Sequence, residues 1–234
     1  MTAQEMLKSL PSEFAALYGE VVTLDIYKIR NLSFVPDVVV DVGANVGFFT
    51  GFARELFPDA LIVGLEPHPA NFQYLERWCA GANTILINKG LGCGRLYRAT
   101  TAANGSGESY FSSGLGYPYE MVSAAVRKRL NVEDTKVQSI TLEQLFLDHC
   151  PEGAKVLLKV DCEGAENSIW EDPFSFDALA SSTYIAMELH DYGMTQYEAS
   201  EVMRITNQAL VKLHRTHHVE RNGVYLWALK HRIT

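Results

Sequence analysis

The chain has 234 residues, 47% hydrophobic and 21% charged, with 28 acids against 20 Lys or Arg for a formal net charge of −8. That length suits a single α/β domain whose core needs no disulfide or metal staple. The acidic balance argues against a protein that engages nucleic acid over its whole surface, and no run of about 18 apolar residues is present to form a transmembrane helix.

Four cysteines (Cys79, Cys93, Cys150, Cys162) lie far apart without a C-x-x-C pair, which suits a reducing compartment rather than a disulfide framework. The N-terminus lacks the basic and apolar regions of a signal peptide, so a cytoplasmic setting is expected. From Arg204 onward six Lys or Arg face one acid, read as a solvated face of the last elements.

In chain order, Met6, Leu10, Phe14, Leu17 and Tyr18 recur at helical spacing around Pro11, predicting a helical arm or lid over residues 1–36 ahead of a main domain over 37–234. Val21–Tyr27 reads as a short strand. D-V-V-V-D-V (37–42) is a β-branched run of the kind buried on both faces of a parallel sheet. A helix is expected over Asn45–Phe57, a strand over 60–65, a helix over Asn71–Ala80 and a strand over 84–91. Residues 92–117 are glycine-rich and read as a loop or loose hairpin. Further on, the pattern predicts a helix near 119–130, a strand near 136–140 and a helix from Thr141. It continues with a strand over 154–161, a helix over 164–170, a strand over 183–189 and a helix over 195–210. Two late strands, 211–219 and 223–230, would meet at Asn222-Gly223. Strands alternating with helices imply a doubly wound, mostly parallel sheet, and ligands of such sheets sit beyond the carboxyl ends of the strands.

The polar residues after those strands carry the chemistry. D-V-G-A-N-V-G (41–47) joins the first strand to the first helix, and Gly43 and Gly47 permit the turn and a close approach. Its backbone N–H groups are expected to be open to an anionic group. The dinucleotide fingerprint G-x-G-x-x-G is missing, and Asp41, two residues before Gly43, favours a cationic ligand over a pyrophosphate. Glu66 ends the second strand, where a carboxylate can accept from both hydroxyls of a ribose; His68 beside it reads as a solvated turn residue. Lys159, Asp161 and Glu163 crowd the end of the fourth main strand, either as an ion pair or as a functional set, with Cys162 a small packing residue. Glu188 and His190 end the fifth, where they can meet Asp161 in a general-base or metal site. His214, His217 and His218, read on a late strand, do not form a metal pattern.

V-D-V-G-A-N-V-G-F-F-T, G-L-E-P-H-P-A-N-F-Q-Y-L and L-L-K-V-D-C-E-G-A-E, in this order and spacing, resemble the FkbM-type S-adenosylmethionine-dependent methyltransferases over roughly residues 37–190. The resemblance implies the class I methyltransferase fold, a Rossmann-like seven-stranded sheet with its last strand antiparallel, and methylation of hydroxyl oxygens on sugars or other small molecules. It places Asp41, Gly43, Asn45 and Gly47 at the methionine end of the cofactor, Glu66 on the ribose, Gly90 and Leu91 near adenine, and Asp161 near the sulfonium. Cys162 and Asn167 stand where aliphatic residues are expected.

On this reading His190 is the general base, oriented by Glu188 or Asp161, and Lys159 polarises the acceptor oxygen. The expected acceptor is a small-molecule or glycan hydroxyl, without nucleic acid or membrane as partner. The alternatives are a divalent metal on Asp161, Glu188 and His190, an NAD oxidoreductase, or a cofactor-binding module without catalysis.

Overall fold

A computed structural model describes residues 2–92, 96–100, 108–112, 133–135, 138–190 and 196–231; the helix expected over 119–130 lies outside them. The strands are β1 (Val38–Val42), β2 (Leu61–Leu65), β3 (Thr84–Ile87), β4 (Gly90–Leu91), β5 (Leu96–Thr100), β6 (Glu108–Ser112), β7 (Glu133–Thr135), β8 (Ser139–Ile140), β9 (Val156–Val160), β10 (Tyr184–Glu188), β11 (His217–Asn222) and β12 (Tyr225–Lys230). Seven of them make one sheet in the order β3-β2-β1-β9-β10-β12-β11, in which β12 alone runs antiparallel to its neighbours. The doubly wound sheet read from the sequence is thus the observed one. β4 and β8 pair in parallel beside it, and β5 pairs with β6, both within the glycine-rich insert, and with β7 beyond it.

The helices are α1 (Ala3–Ser9), α2 (Ala15–Tyr18), α3 (Phe48–Leu56), α4 (Pro69–Cys79), α5 (Leu142–His149), α6 (Asn167–Glu171), α7 (Pro173–Ser181) and α8 (Gln196–Leu213). Their starts follow local chemistry. Thr2 and Glu5 form a reciprocal capping box for α1, Thr141 caps α5, and Asp172 followed by Pro173 opens α7. The sequence reading overlooked α7 despite that start signal, because its faint amphipathic pattern merges with the preceding turn.

Four boundaries differ from expectation. Val21–Tyr27 is not a strand: Gly19–Thr23 prolongs α2 as a wider turn, because Val21 and Val22 bury against helices rather than along a sheet edge. The strand expected over 84–91 breaks after Ile87, and Gly90–Leu91 leaves to pair with β8. α3 starts at Phe48 rather than Asn45, since Asn45 and Gly47 adopt positive φ. α8 runs on to Leu213, so His214 follows a helix instead of lying in β11.

Side-chain alternation splits the core in two. On one face Val39, Ile62, Leu157, Ala186 and Trp227 pack beneath α1, α3 and the segment between α1 and β1. On the other, Val40, Val42, Val63, Leu158, Val160 and Met187 pack against α5, α6, α7 and the end of α8. The first 36 residues therefore supply core: Met6, Val21, Val22, Tyr27 and Ile29 are all buried. Met6 fits where glycine leaves room, its thioether end 3.3 Å from a Cβ placed on Gly47 and 2.9 Å from one placed on Gly51. Met6→Ala is expected to lower the unfolding free energy by about 2–5 kcal/mol in urea denaturation; an unchanged midpoint would mean that the arm does not belong to the cooperative core.

Candidate active site

The turn after β1 satisfies itself. The N–H groups of Gly43 and Ala44 both donate to the Leu65 carbonyl at 2.9 Å. That of Asn45 donates to Glu66 Oε2 at 2.8 Å, that of Val46 to Asn45 Oδ1 at 2.8 Å, and that of Gly47 to the Ala44 carbonyl at 2.9 Å. The expectation of open N–H groups for an anion is therefore corrected: the donors of residues 43–47 are already used, and what the turn presents is shape. Gly43 has φ +79° and lies so close to β9 that a Cβ on it would stand 1.8 Å from the Asp161 carbonyl oxygen. No other residue fits there.

Beneath this turn lies a buried ion pair. Asp41 on β1 and Lys159 on β9 are register partners on the same face. The Lys159 ammonium stands 3.2 Å from Asp41 Oδ1 and donates to the Gly43 carbonyl at 2.7 Å. Asp41 Oδ2 accepts from the Thr50 hydroxyl at 2.6 Å, and the rings of Tyr27 and Phe49 close over the cation at 5.5 and 5.8 Å. Burial opposes the charge on Lys159, but Asp41 and Asp161 outweigh it and hold its pKa above the ordinary lysine value. Asp41 is fully buried, its carboxylate facing Lys159 and Thr50.

At the tip of β2, Glu66 accepts from the backbone N–H of His68 through Oε1 and of Asn45 through Oε2, each at 2.8 Å. Each oxygen keeps a further acceptor position, as two ribose hydroxyls require. Burial pushes the pKa of Glu66 up to about 7 against the two N–H groups and Lys159, which favour the carboxylate; the charge of Asp41 adds to the rise. His68, expected in solvent, is buried instead: its Nδ1 accepts from the N–H groups of Ala70 and Asn71 and caps α4. Asn88, which the sequence reading passed over, ties the end of β3 to the Glu66 carbonyl at 2.8 Å. Gly90 and Leu91 follow it, both buried.

The ends of β9 and β10 bring Asp161, Glu188 and His190 together. His190 Nε2 lies 3.8 Å from Asp161 Oδ1, 3.8 Å from Glu163 Oε2 and 3.6 Å from Glu188 Oε1. Its Nδ1 stands 3.1 Å from Glu166 Oε1, which also accepts the His190 backbone N–H at 2.6 Å. Burial opposes a charged ring, yet the bonds to Glu166 and Glu188 and the surrounding carboxylates push its pKa up to about 11. At neutral pH the ring of the free protein is therefore a donor. Tyr27, carried by the segment before β1, donates to Asp161 Oδ2 at 2.7 Å; burial and Asp161 hold its phenol well above the usual tyrosine value. Asn167 bonds the carbonyls of Gly164 at 3.1 Å and His190 at 3.4 Å, and Cys162 donates to Glu166 Oε2 at 3.5 Å.

Glu166, Asn167 and Tyr27 were given no role from the sequence. Glu166 lay within the D-C-E-G-A-E run, two residues past a turn glycine, which is a usable signal; nothing local points to Tyr27. His217 is a core histidine with Nε2 2.9 Å from the Ser182 carbonyl and Nδ1 2.8 Å from the Thr216 hydroxyl, while His218 is exposed.

A sheet of this order with one antiparallel strand, a glycine turn after β1 and an acid at the tip of β2 defines a class I methyltransferase fold. The chain belongs to the methyltransferase FkbM domain family, which matches residues 41–204 and uses S-adenosylmethionine. Methyltransferase sdnD of Sordaria araneosa is 31% identical over 174 residues, 64% of this chain and 65% of that protein's length. Among solved structures, the plantazolicin methyltransferase BamL, in complex with a triazolic desmethylPZN analog and SAH, is similar at 10% identity. That match covers 98% of this chain and 94% of the other, with a TM-score of 0.45. A precorrin-6y C5,15-methyltransferase from Geobacter metallireducens GS-15 is similar at 15% identity, covering 90% and 87%, with a TM-score of 0.41.

Because the Asp41–Lys159 pair is buried, removing one partner strands the other charge. Lys159→Met is expected to cost about 3–5 kcal/mol of stability. Adding Asp41→Asn should recover part of that loss in a double-mutant cycle read by chemical denaturation; strictly additive losses would mean that the two groups are not coupled.

Proposed function

We propose that this chain transfers a methyl group from S-adenosylmethionine to a hydroxyl oxygen of a small molecule or glycan. The observation that carries this reading is the carboxyl-rich cluster at the tips of β9 and β10, beside the Gly43 turn and with Asp161, Glu163 and Glu188 all partly exposed. When bound, S-adenosylmethionine supplies a methyl carbon on a positively charged sulfur, an electrophile whose leaving group departs neutral. Displacement at carbon is then mainly a matter of alignment.

Glu66 takes the ribose hydroxyls, with Gly90 and Leu91 toward the adenine side. Gly43, Asn45 and Gly47 shape the methionine end over the Asp41–Lys159 pair. A hydroxyl acceptor differs from an amine in having to lose its proton, and the cluster supplies groups to receive it. Asp161 and Glu188 are the acceptors for that proton, and charged His190 orients them as a positioning residue. Lys159, committed to Asp41 and Gly43, holds the turn. The acidic surface, with Cys79, Cys150 and Cys162 all free thiols, supports a cytoplasmic setting and a diffusible acceptor. Among the described residues, no helix is long and apolar enough to cross a membrane.

The test is release of S-adenosylhomocysteine when the chain and S-adenosylmethionine meet a panel of hydroxyl, amine and carbon acceptors. Turnover with hydroxyls is expected, and Glu188→Ala should lower kcat by about 10²-fold or more while S-adenosylhomocysteine still binds. Cofactor that binds without turnover on any acceptor would point to a binding module, and turnover confined to amines or carbon would refute the hydroxyl.

A pH effect follows from Glu66. Its carboxylate form accepts both ribose hydroxyls, so binding is full above its pKa of about 7 and weakens as pH falls through that value. S-adenosylhomocysteine is expected to bind about tenfold more weakly near pH 6 than near pH 8, read by calorimetry. Glu66→Gln should abolish this dependence and bind weakly throughout; an unchanged pH profile would remove Glu66 from the ribose.

A further inference from the structure

We propose that Tyr27 is a positioning residue for methyl transfer: its hydroxyl holds Oδ2 of Asp161, so that Oδ1 alone receives the acceptor's proton. The proposal rests on the preceding reading of Asp161 as a proton acceptor. It goes beyond that reading by giving a role to a residue ahead of the family match at 41–204. The Tyr27 hydroxyl donates to Asp161 Oδ2 at 2.7 Å, and the Lys159 ammonium stands 4.0 Å from the same oxygen. Oδ1 lies instead 3.8 Å from His190 Nε2. The two oxygens of one carboxylate thus have different surroundings, a buried phenol and ammonium for one and the imidazole for the other.

The backbone is strained to put that hydroxyl in place. Asp25 and Lys28 adopt φ of +49° and +55°, a region that residues with side chains enter at a cost and keep only where their surroundings over-determine it. The Asp25 carboxylate accepts from the N–H groups of Ile29 and Arg30 at 2.9 and 3.0 Å. The Trp227 indole donates to the Ile26 carbonyl at 2.8 Å, and the Tyr184 hydroxyl donates to the Tyr27 carbonyl at 3.0 Å. Lys28 pairs with Glu220 at 3.0 Å and lies over the Trp227 ring at 3.5 Å. The Tyr27 ring, 2% exposed, meets that of Phe49 edge-on at 5.3 Å. A phenylalanine would fill the same space in the core; what the clamp adds is a hydroxyl at a fixed place.

In the transfer step the acceptor oxygen bonds to the methyl carbon, the sulfur keeps the electron pair of the bond that breaks, and the acceptor's proton passes to Asp161 Oδ1. Tyr27 keeps its own proton throughout, because burial and Asp161 hold the phenol well above the ordinary tyrosine value. It therefore acts as a donor and not as the base. A proton on Oδ1 leaves the Tyr27 bond intact, whereas a carboxylate free to turn loses its alignment with the acceptor.

The test compares Tyr27→Phe with the unaltered full chain, using S-adenosylmethionine and the fastest hydroxyl acceptor among a panel of monosaccharides, polyols and hydroxy acids. The variant is expected to lose about tenfold or more in kcat, with KM for S-adenosylmethionine and calorimetric affinity for S-adenosylhomocysteine each within about twofold. A merely structural loss would move cofactor affinity together with kcat, and that result overturns the proposal, as does an unchanged kcat. Should Tyr27→Phe fail to fold, Tyr184→Phe decides, since it frees the Tyr27 carbonyl without touching the cluster. It is expected to lower kcat several-fold at unchanged S-adenosylhomocysteine affinity; kcat equal to that of the unaltered chain overturns the proposal. An unaltered chain that binds S-adenosylhomocysteine but methylates no hydroxyl refutes the hydroxyl reading and this role with it. Hydroxyl turnover that is indifferent to Tyr27→Phe sinks the role of Tyr27 and spares that reading.

Discussion

The Asp41–Lys159 ion pair is the constraint around which the crevice is arranged. Two charges on neighbouring strands of a parallel sheet, away from water, persist because each answers the other and neighbouring groups bond both. Thr50 bonds Asp41, and the carbonyl of Gly43 bonds Lys159. That second bond pins the turn after β1 against β9, where Gly43 already touches the backbone of Asp161. The turn after β1 and the cluster at the tips of β9 and β10 are therefore parts of one unit, and a displacement of either is transmitted to the other.

The same pairing sets the electrostatics of the surface above it. With Lys159 neutralising Asp41, the charge that reaches the crevice comes from Glu66 on one side and from the residues around His190 on the other. These two sides differ in kind. Glu66 is buried, held by two backbone N–H groups and poised near neutrality, which suits a group that must accept from neutral hydroxyls. The cluster at β9 and β10 is crowded and partly exposed, which on the proposed reading suits the place where a proton leaves. On the proposed reading, a sulfonium between them would meet negative potential from both sides.

Most of the sheet was legible in the sequence because strands buried on both faces leave short, nearly continuous apolar runs, such as Val38–Val42 and Val156–Val160. Asp41, Gly43, Glu66, Asp161, Glu188 and His190 were legible for a related reason: each sits at, or within two residues of, the carboxyl end of such a run, where doubly wound sheets keep their ligands. What stayed hidden depended on contacts distant in sequence. Tyr27 reaches Asp161 across 134 positions, Glu166 matters only because His190 folds back onto it, and the direction of the Lys159 ammonium is set by the Gly43 carbonyl. Local pattern misled where tertiary burial overrode it. Val21 and Val22 look like strand residues yet bury between helices, and His68 looks like a turn residue yet caps α4.

The N-terminal segment belongs to this same unit. Tyr184 donates its hydroxyl to the Tyr27 carbonyl at 3.0 Å, and the indole of Trp227 donates to the carbonyl of Ile26 at 2.8 Å. Asp25 accepts from the N–H groups of Ile29 and Arg30 at 2.9 and 3.0 Å. The loop is thus clamped to β10 and β12 from below and braced within itself, and its one polar product at the crevice is the Tyr27 hydroxyl on Asp161. A phenol kept protonated by burial is a fixed donor, so it holds one oxygen of Asp161 and leaves the other turned toward His190. The geometry of the acceptor cluster is accordingly set by three distant stretches of chain, at Tyr27, Glu166 and Glu188, which meet only when both cores have packed.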